Sequence, residues 1–148
     1  IYLDDKEYNS GLNLKYLIKS QITFSNPKYF TTSLAFTTRP GSYYTKVINA
    51  KYNYGANDFE PFYEDINNSN FHDYVRLDFT INRAFPINNH NLIIFASVNN
   101  ILNVKNPSYI YYNQDYSKSS LYYFQQRIIY FGLQFRLNNV FKKNIKAE

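Results

Sequence analysis

One eight-residue stretch constrains the fold more than any other feature. In Val75-Arg76-Leu77-Asp78-Phe79-Thr80-Ile81-Asn82, apolar and polar residues alternate without a break. On a strand, Val75, Leu77, Phe79 and Ile81 share one face, and Arg76, Asp78, Thr80 and Asn82 share the other. A sheet in water turns the first face inward. An outer-membrane barrel turns it outward to lipid and lines a wet lumen with the second. Function depends on which medium each face meets.

The same period recurs along the chain. Residues 12–24 place Leu12, Leu14, Tyr16, Ile18, Ser20, Ile22 and Phe24 against Asn13, Lys15, Leu17, Lys19, Gln21 and Thr23. Ser25-Asn26-Pro27-Lys28 has the composition of a tight turn. A second strand is expected over 30–38, and a long polar stretch then runs to about His72, with a strand extension or hairpin over 43–54. A third strand at 74–85 leads through a short turn at 86–91 to a fourth at 92–102, interrupted at 103–107 and resumed at 109–113. After a polar loop at 114–120, the last strand spans 121–137, with Ile129, Phe131, Leu133 and Phe135 opposing Tyr130, Gly132, Gln134 and Arg136. The expected class is all-β, an antiparallel meander of about five long strands.

Composition narrows the medium. The chain has 148 residues, 17 Tyr and 13 Phe but no Trp; aromatic rings suit strands and membrane interfaces alike. Mean hydropathy is −0.50, and no window approaches the roughly 18 apolar residues of a membrane helix. That excludes a helical span and leaves a barrel open. The absence of Cys excludes disulfides and Cys-based metal centres. With Ile1 first, no Met and no signal peptide, the chain is expected to be part of a longer one. The net charge of +5 does not point to nucleic acid. Its cations are scattered, and the tight group Lys142, Lys143 and Lys146 lies at one end.

Strand length favours a membrane. Thirteen extended residues over 12–24 measure roughly 43 Å and, tilted by about 40°, rise some 33 Å, beyond the ~25 Å apolar band of a barrel. The connections alternate short and long, as periplasmic turns and external loops do. Arg83, Gln125 and Arg127 fall on the apolar parity, with both arginines near strand ends from which they can reach headgroups. The fourth strand, with Ile93 and Phe95 opposing Leu92 and Ile94, is apolar on both faces, as a buried sandwich strand would be.

Four segments resemble the carboxy-terminal end of TonB-dependent outer-membrane receptors. They are Thr38-Arg39-Pro40-Gly41-Ser42-Tyr43-Tyr44-Thr45; Pro61-Phe62-Tyr63-Glu64-Asp65-Ile66-Asn67 leading to Asp73-Tyr74-Val75-Arg76-Leu77-Asp78; Val98-Asn99-Asn100-Ile101-Leu102-Asn103-Val104-Lys105-Asn106; and residues 129–137. In this frame 1–10 is a loop, 11–137 is barrel, and 138–148 is a basic tail. The family ends on an aromatic residue where this chain has Leu137. The resemblance implies the last part of a barrel of about 22 strands with a plugged lumen, in the outer membrane of a Gram-negative bacterium. It further implies uptake of iron chelates, cobalamin or oligosaccharides. Its implied partners are membrane lipid, the rest of the barrel and its plug, the TonB complex reached through an amino-terminal part, and a surface substrate-binding lipoprotein. Neither an enzyme nor a cofactor is implied.

Candidate residues follow from parity. Arg76, Asp78, Gln134 and Arg136 are expected toward the lumen, with Arg76 and Asp78 as a wall ion pair. Val75, Leu77, Phe79, Ile81, Phe131, Leu133 and Phe135 are expected toward lipid. Tyr111, Tyr112 and Tyr116 lie in the last external loop, as candidates to stack on a ligand or as an interfacial girdle. Asp58, Glu60, Glu64 and Asp65 lack calcium-loop spacing and read as a solvated loop. His72 and His90 flank the third strand at opposite ends and cannot share a metal. Two other architectures stay open: a soluble β-sandwich holding carbohydrate on its Tyr-rich loops, and a barrel subunit that closes by oligomerising.

Overall fold

The structure, a computed structural model, describes residues 2–3, 6–11, 13–26 and 28–137. Leu12, the Pro27 of the first turn, and the 138–148 tail with Lys142, Lys143 and Lys146 lie outside the described residues. The chain is all-β, and no helix occurs among the described residues. Within the expected loop at 1–10, β1 (Tyr2–Leu3) pairs with β2 (Lys6–Glu7). β3 (Ile18–Asn26) and β4 (Phe30–Arg39) form the first long hairpin. The long connection that follows carries β5 (Tyr43–Tyr44), β6 (Val47–Asn53), β7 (Asp58–Tyr63) and β8 (Ser69–Asn70). β9 (Tyr74–Ile87) and β10 (His90–Asn99) form the second long hairpin. A second long connection holds β11 (Pro107–Tyr112) and β12 (Ser119–Tyr123), and β13 (Ile128–Arg136) follows it.

Five of these make one antiparallel sheet in the order β13-β10-β9-β4-β3. Its register aligns the apolar parities of all five strands. Ile22, Leu34, Phe79, Val98 and Ile129 form one continuous row, with Phe24, Thr32, Ile81, Ala96 and Phe131 in the next. The opposite face carries Thr23, Ser33, Thr80, Ser97 and Tyr130, then Gln21, Ala35, Asp78, Asn99 and Ile128. Ser97 is buried between strands, its hydroxyl 2.8 Å from that of Thr80 and donating to the Phe79 carbonyl. Phe95, the one large ring on the polar parity of β10, lies over Gly132, where a Cβ would sit 2.7 Å from the ring. Glycine at 132 opens that space, and the ring covers the backbone it leaves bare.

Almost nothing covers the apolar face. Among the described residues Val47 and Phe71 are the buried hydrophobic side chains, and both belong to the first long connection. Ile22 is 74% exposed, Phe131 84% and Leu133 71%. β3 and β13 are the two open edges of the sheet. The four shorter sheet strands have 9 or 10 residues. At about 3.3 Å per residue and a tilt near 40°, they rise roughly 23–25 Å, the height of a barrel's apolar band.

Strand ends depart from the sequence expectation in four places, each for a local reason. The first strand begins at Ile18 rather than Leu12, because its partner β4 ends at Arg39 before Pro40, which has no N–H to extend the ladder. The second short turn is only Asn88-Asn89, flanked by the pair Ile87 and His90. Asn88 takes φ 51°, the left-handed value a two-residue hairpin calls for. Pro86 is thus inside β9, beyond Asn82, the last residue paired on the β4 side, where a strand tolerates a missing donor. The fourth strand stops at Asn99 because Asn100 turns left-handed at φ 52°. Finally, 121–137 is two strands rather than one, broken at 124–127.

Candidate functional site

The two short turns lie at one end of the sheet and the two long connections at the other. The chemistry-bearing residues crowd the long-connection end, where a rim of side chains ties loops to strands. At its centre is the expected ion pair: Arg76 Nε lies 2.7 and 2.9 Å from the two Asp78 carboxylate oxygens, with about a quarter of each side chain exposed. Asp78 Oδ1 also accepts the Asn100 N–H at 2.8 Å. The pair therefore anchors the turn after β10.

That turn is built by asparagines. Asn100 is 1% exposed, donates from Nδ2 to the Val104 carbonyl and accepts the Val104 N–H on Oδ1. Asn106 is 2% exposed and pairs with both backbone groups of Val75, accepting its N–H and donating to its carbonyl, each at 2.9 Å. It stands in for a neighbouring strand. Asn103, at φ 53°, accepts the Arg127 N–H. Arg127 Nη2 donates to the Ile101 carbonyl at 2.8 Å. Arg127 is thus a loop clamp rather than a side chain on the apolar parity of a strand, and Gln125 sits beside it in the same break.

A second fastening joins the first connection to the sheet. Asp73 accepts the Tyr16 hydroxyl at 2.6 Å and the Gly41 N–H at 3.3 Å. This carboxylate pushes the Tyr16 phenol above its ordinary pKa, chiefly through the hydrogen bond. The Arg39 guanidinium stacks 4.9 Å from the Tyr74 ring and 5.6 Å from Phe124, which meet edge to face. The His72 ring spans the carbonyls of Asp73 and Lys105. At Gly41 a Cβ would lie 1.8 Å from the Phe71 carbonyl oxygen. Gly41→Ala is expected to force the Tyr44–Phe71 stack apart and cost ~1–3 kcal/mol, checked by the unfolding midpoint and by faster hydrogen exchange at Phe71.

The candidates expected together do not all meet. Gln134 pairs with Ile93 and Arg136 with Asn91, near the short turns. They share a face with Arg76 and Asp78 but lie roughly 20–33 Å along the sheet from them, the length of about six to ten extended residues. Tyr111 and Tyr112, being consecutive on β11, point to opposite sides. Tyr111 meets Tyr122, itself stacked on Tyr109 at 4.5 Å, and Tyr112 meets Tyr116 while its hydroxyl accepts the Val47 N–H. Glu64 accepts the Lys46 N–H, and no group of three metal-ligating side chains occurs among the described residues. Hydrogen bonds from the Ser69 hydroxyl and the Lys46 N–H hold the Glu64 carboxyl below its usual range. Its contribution to loop packing is present above the carboxylate's unfolded pKa and lost as pH falls through the lowered one. The protection of the Lys46 amide, its exchange rate relative to the intrinsic rate at each pH, is therefore expected to fall on acidification, and less so in Glu64→Gln.

Asn100, Asn106, Gly41, Asp73, Arg39 and Tyr16 were not among the sequence candidates. Most lie inside the segments that carry the family resemblance, and only the buried amides, the contacts across long sequence separations and the close approach at Gly41 reveal their work. Comparison with protein-family models, curated proteins and solved structures finds no match.

Proposed function

We propose that this chain is a length of outer-membrane β-barrel wall, of the TonB-dependent receptor kind that its motifs resemble. In this reading Val75, Leu77, Phe79, Ile81, Phe131, Leu133 and Phe135 face lipid, and Arg76, Asp78, Gln134 and Arg136 line the lumen. The short turns are periplasmic and the long connections external. Substrate uptake driven by the TonB complex follows from the resemblance: external hairpins capture the ligand, a plug moves, and the ligand passes along the polar face.

The observation that carries this is the uncovered apolar face. Five strands about 4.8 Å apart and about nine residues long present roughly 700 Å² in projection, more than the 300–600 Å² of the largest patch on a typical soluble monomer. A β-sandwich would need a second sheet packed against it, and the other sheets among the described residues are four two-stranded ladders, all outside the five long strands. Topology also weighs against closure by identical copies. In an antiparallel sheet of five, β3 and β13 run in the same direction, so copies inserted in one orientation would meet in parallel. Bacterial single-chain barrels are antiparallel with an even strand count. An odd number of further strands closes the wall instead.

The test is accessibility in the full-length protein in lipid. Single cysteines at Leu77 and Phe79 are expected to resist a water-soluble thiol reagent while a spin label there is quenched by lipid-phase relaxants. Cysteine at Asp78 is expected to behave the other way. Equal aqueous labelling at both parities would overturn the proposal.

A further inference from the structure

The apolar face holds one Arg, Arg83, while its other polar side chains, Ser20, Asn26, Thr32, Thr38 and His90, are uncharged or lie at strand ends. Arg83 pairs with Ile94, which pairs in turn with Leu133. Among the described residues the single ion pair is Arg76 with Asp78, so Arg83 has no carboxylate. Its guanidinium lies 4.8 Å from the ring centre of Phe85, two residues nearer the short turn. The side chain thus leans along the strand toward that end of the sheet.

Beside it the face is hollow. In the row Ile81, Ala96, Phe131 the middle residue contributes only a methyl group. The resulting groove has a volume of about 410 Å³ and is walled by Tyr29, Phe30, Ile81, Ile94 and Phe131. Arg83 and Phe85 also line it, with Asn82, Phe95 and Ala96, and no acidic residue takes part. Lys28, 5.5 Å from the Tyr29 ring centre, brings a second cation to the same end.

We propose that this groove is a phospholipid site, with an acyl chain lying over Ala96 and the phosphodiester held by Arg83. The proposal rests on the wall reading above. A hydrocarbon trough that ends in an unpaired guanidinium matches the two halves of an anionic lipid. Burying the chain satisfies the trough, and the phosphate supplies the charge that the protein withholds. Lys28 adds a weaker attraction for a net-negative headgroup, so phosphatidylglycerol is favoured over phosphatidylcholine.

The test uses the full-length protein in phosphatidylcholine vesicles containing brominated phosphatidylglycerol or brominated phosphatidylcholine. Leu133→Trp, next to Ile94, reports on the groove, and Ile22→Trp on β3 is the control; each is read as the difference from the protein without it. At Leu133→Trp, phosphatidylglycerol is expected to quench at a roughly fivefold lower mole fraction, or ~1 kcal/mol at 1.4 kcal/mol per factor of ten. At Ile22→Trp the two lipids are expected to be equal. Arg83→Gln is expected to abolish the advantage and Arg83→Lys to keep most of it. Equal quenching with Arg83 in place, an equal advantage at Ile22→Trp, or an advantage that survives Arg83→Gln would each overturn the site while leaving the wall reading intact. No quenching by either lipid would overturn the wall reading, and the site with it.

Discussion

Asn106→Leu is expected to lower the stability of the sheet by ~2–6 kcal/mol, because it strands two buried backbone groups at once. Leucine keeps the branched skeleton of asparagine, with bulkier methyl groups, but offers no polar atom. The Val75 N–H and carbonyl would each lose the 2.9 Å partner they have now, and an unsatisfied buried group costs about 1–3 kcal/mol. Asn106 is 2% exposed, so water cannot take over the role without opening the rim. The Asn106 carbonyl also accepts the Phe124 N–H at 2.8 Å. Disturbing this residue therefore loosens the start of β9 together with the break between β12 and β13. The measurement is the denaturation midpoint of the full-length protein in lipid, with hydrogen exchange at Val75. A midpoint unchanged within about 0.5 kcal/mol, the range of a neutral surface change, would show that the rim is not fastened there. Asn103→Leu is a useful companion, since Asn103 is exposed and accepts a single bond at 3.2 Å from Arg127. Its effect is expected to be smaller.

Such residues explain what could be foreseen from sequence. The parity of Val75 to Asn82 is a local property with a period of two, and the register carries it unchanged across five strands. The strands at 30–39 and 74–87 were legible for this reason. Where strands stop was less so. The ends at Asn99 and before Ile128 depend on asparagines that turn left-handed or imitate a peptide group, and an amide does this only when the fold brings the right backbone to it. Asn106 meets Val75 across 31 residues, and Arg127 meets Ile101 across 26. No spacing rule anticipates those meetings. The Arg76–Asp78 pair was legible because residues two apart on a strand share a face. Its second duty toward Asn100 was not.

The same rim gives the two long connections a common footing. Tyr112 reaches Val47 across them, Asp73 holds Tyr16 and Gly41, and Arg39 lies against Tyr74 and Phe124. The hairpins of the two long connections are in this way tied to one another and to the start of β9.

Phe79→Arg is expected to be the most damaging charge on the apolar face, and the fall-off along β9 identifies the medium. Phe79 sits in the row Ile22, Leu34, Phe79, Val98, Ile129, apolar on every strand of the sheet. In lipid an arginine there costs ~2–4 kcal/mol near the midplane and about 0–1 kcal/mol at the interface. Ile87→Arg, beside the short turn, is therefore expected to be nearly neutral. Ser33→Arg, on the polar face beside the Phe79 row, should be tolerated as well. Unfolding free energies of the full-length protein in lipid would measure the series. A protein core laid against this face would penalise charge according to the packing of each side chain, and Phe79→Arg would follow no depth. A bilayer grades the penalty by distance from water alone. Similar large costs at Phe79→Arg and Ile87→Arg would therefore favour a protein partner over lipid and sink the wall reading.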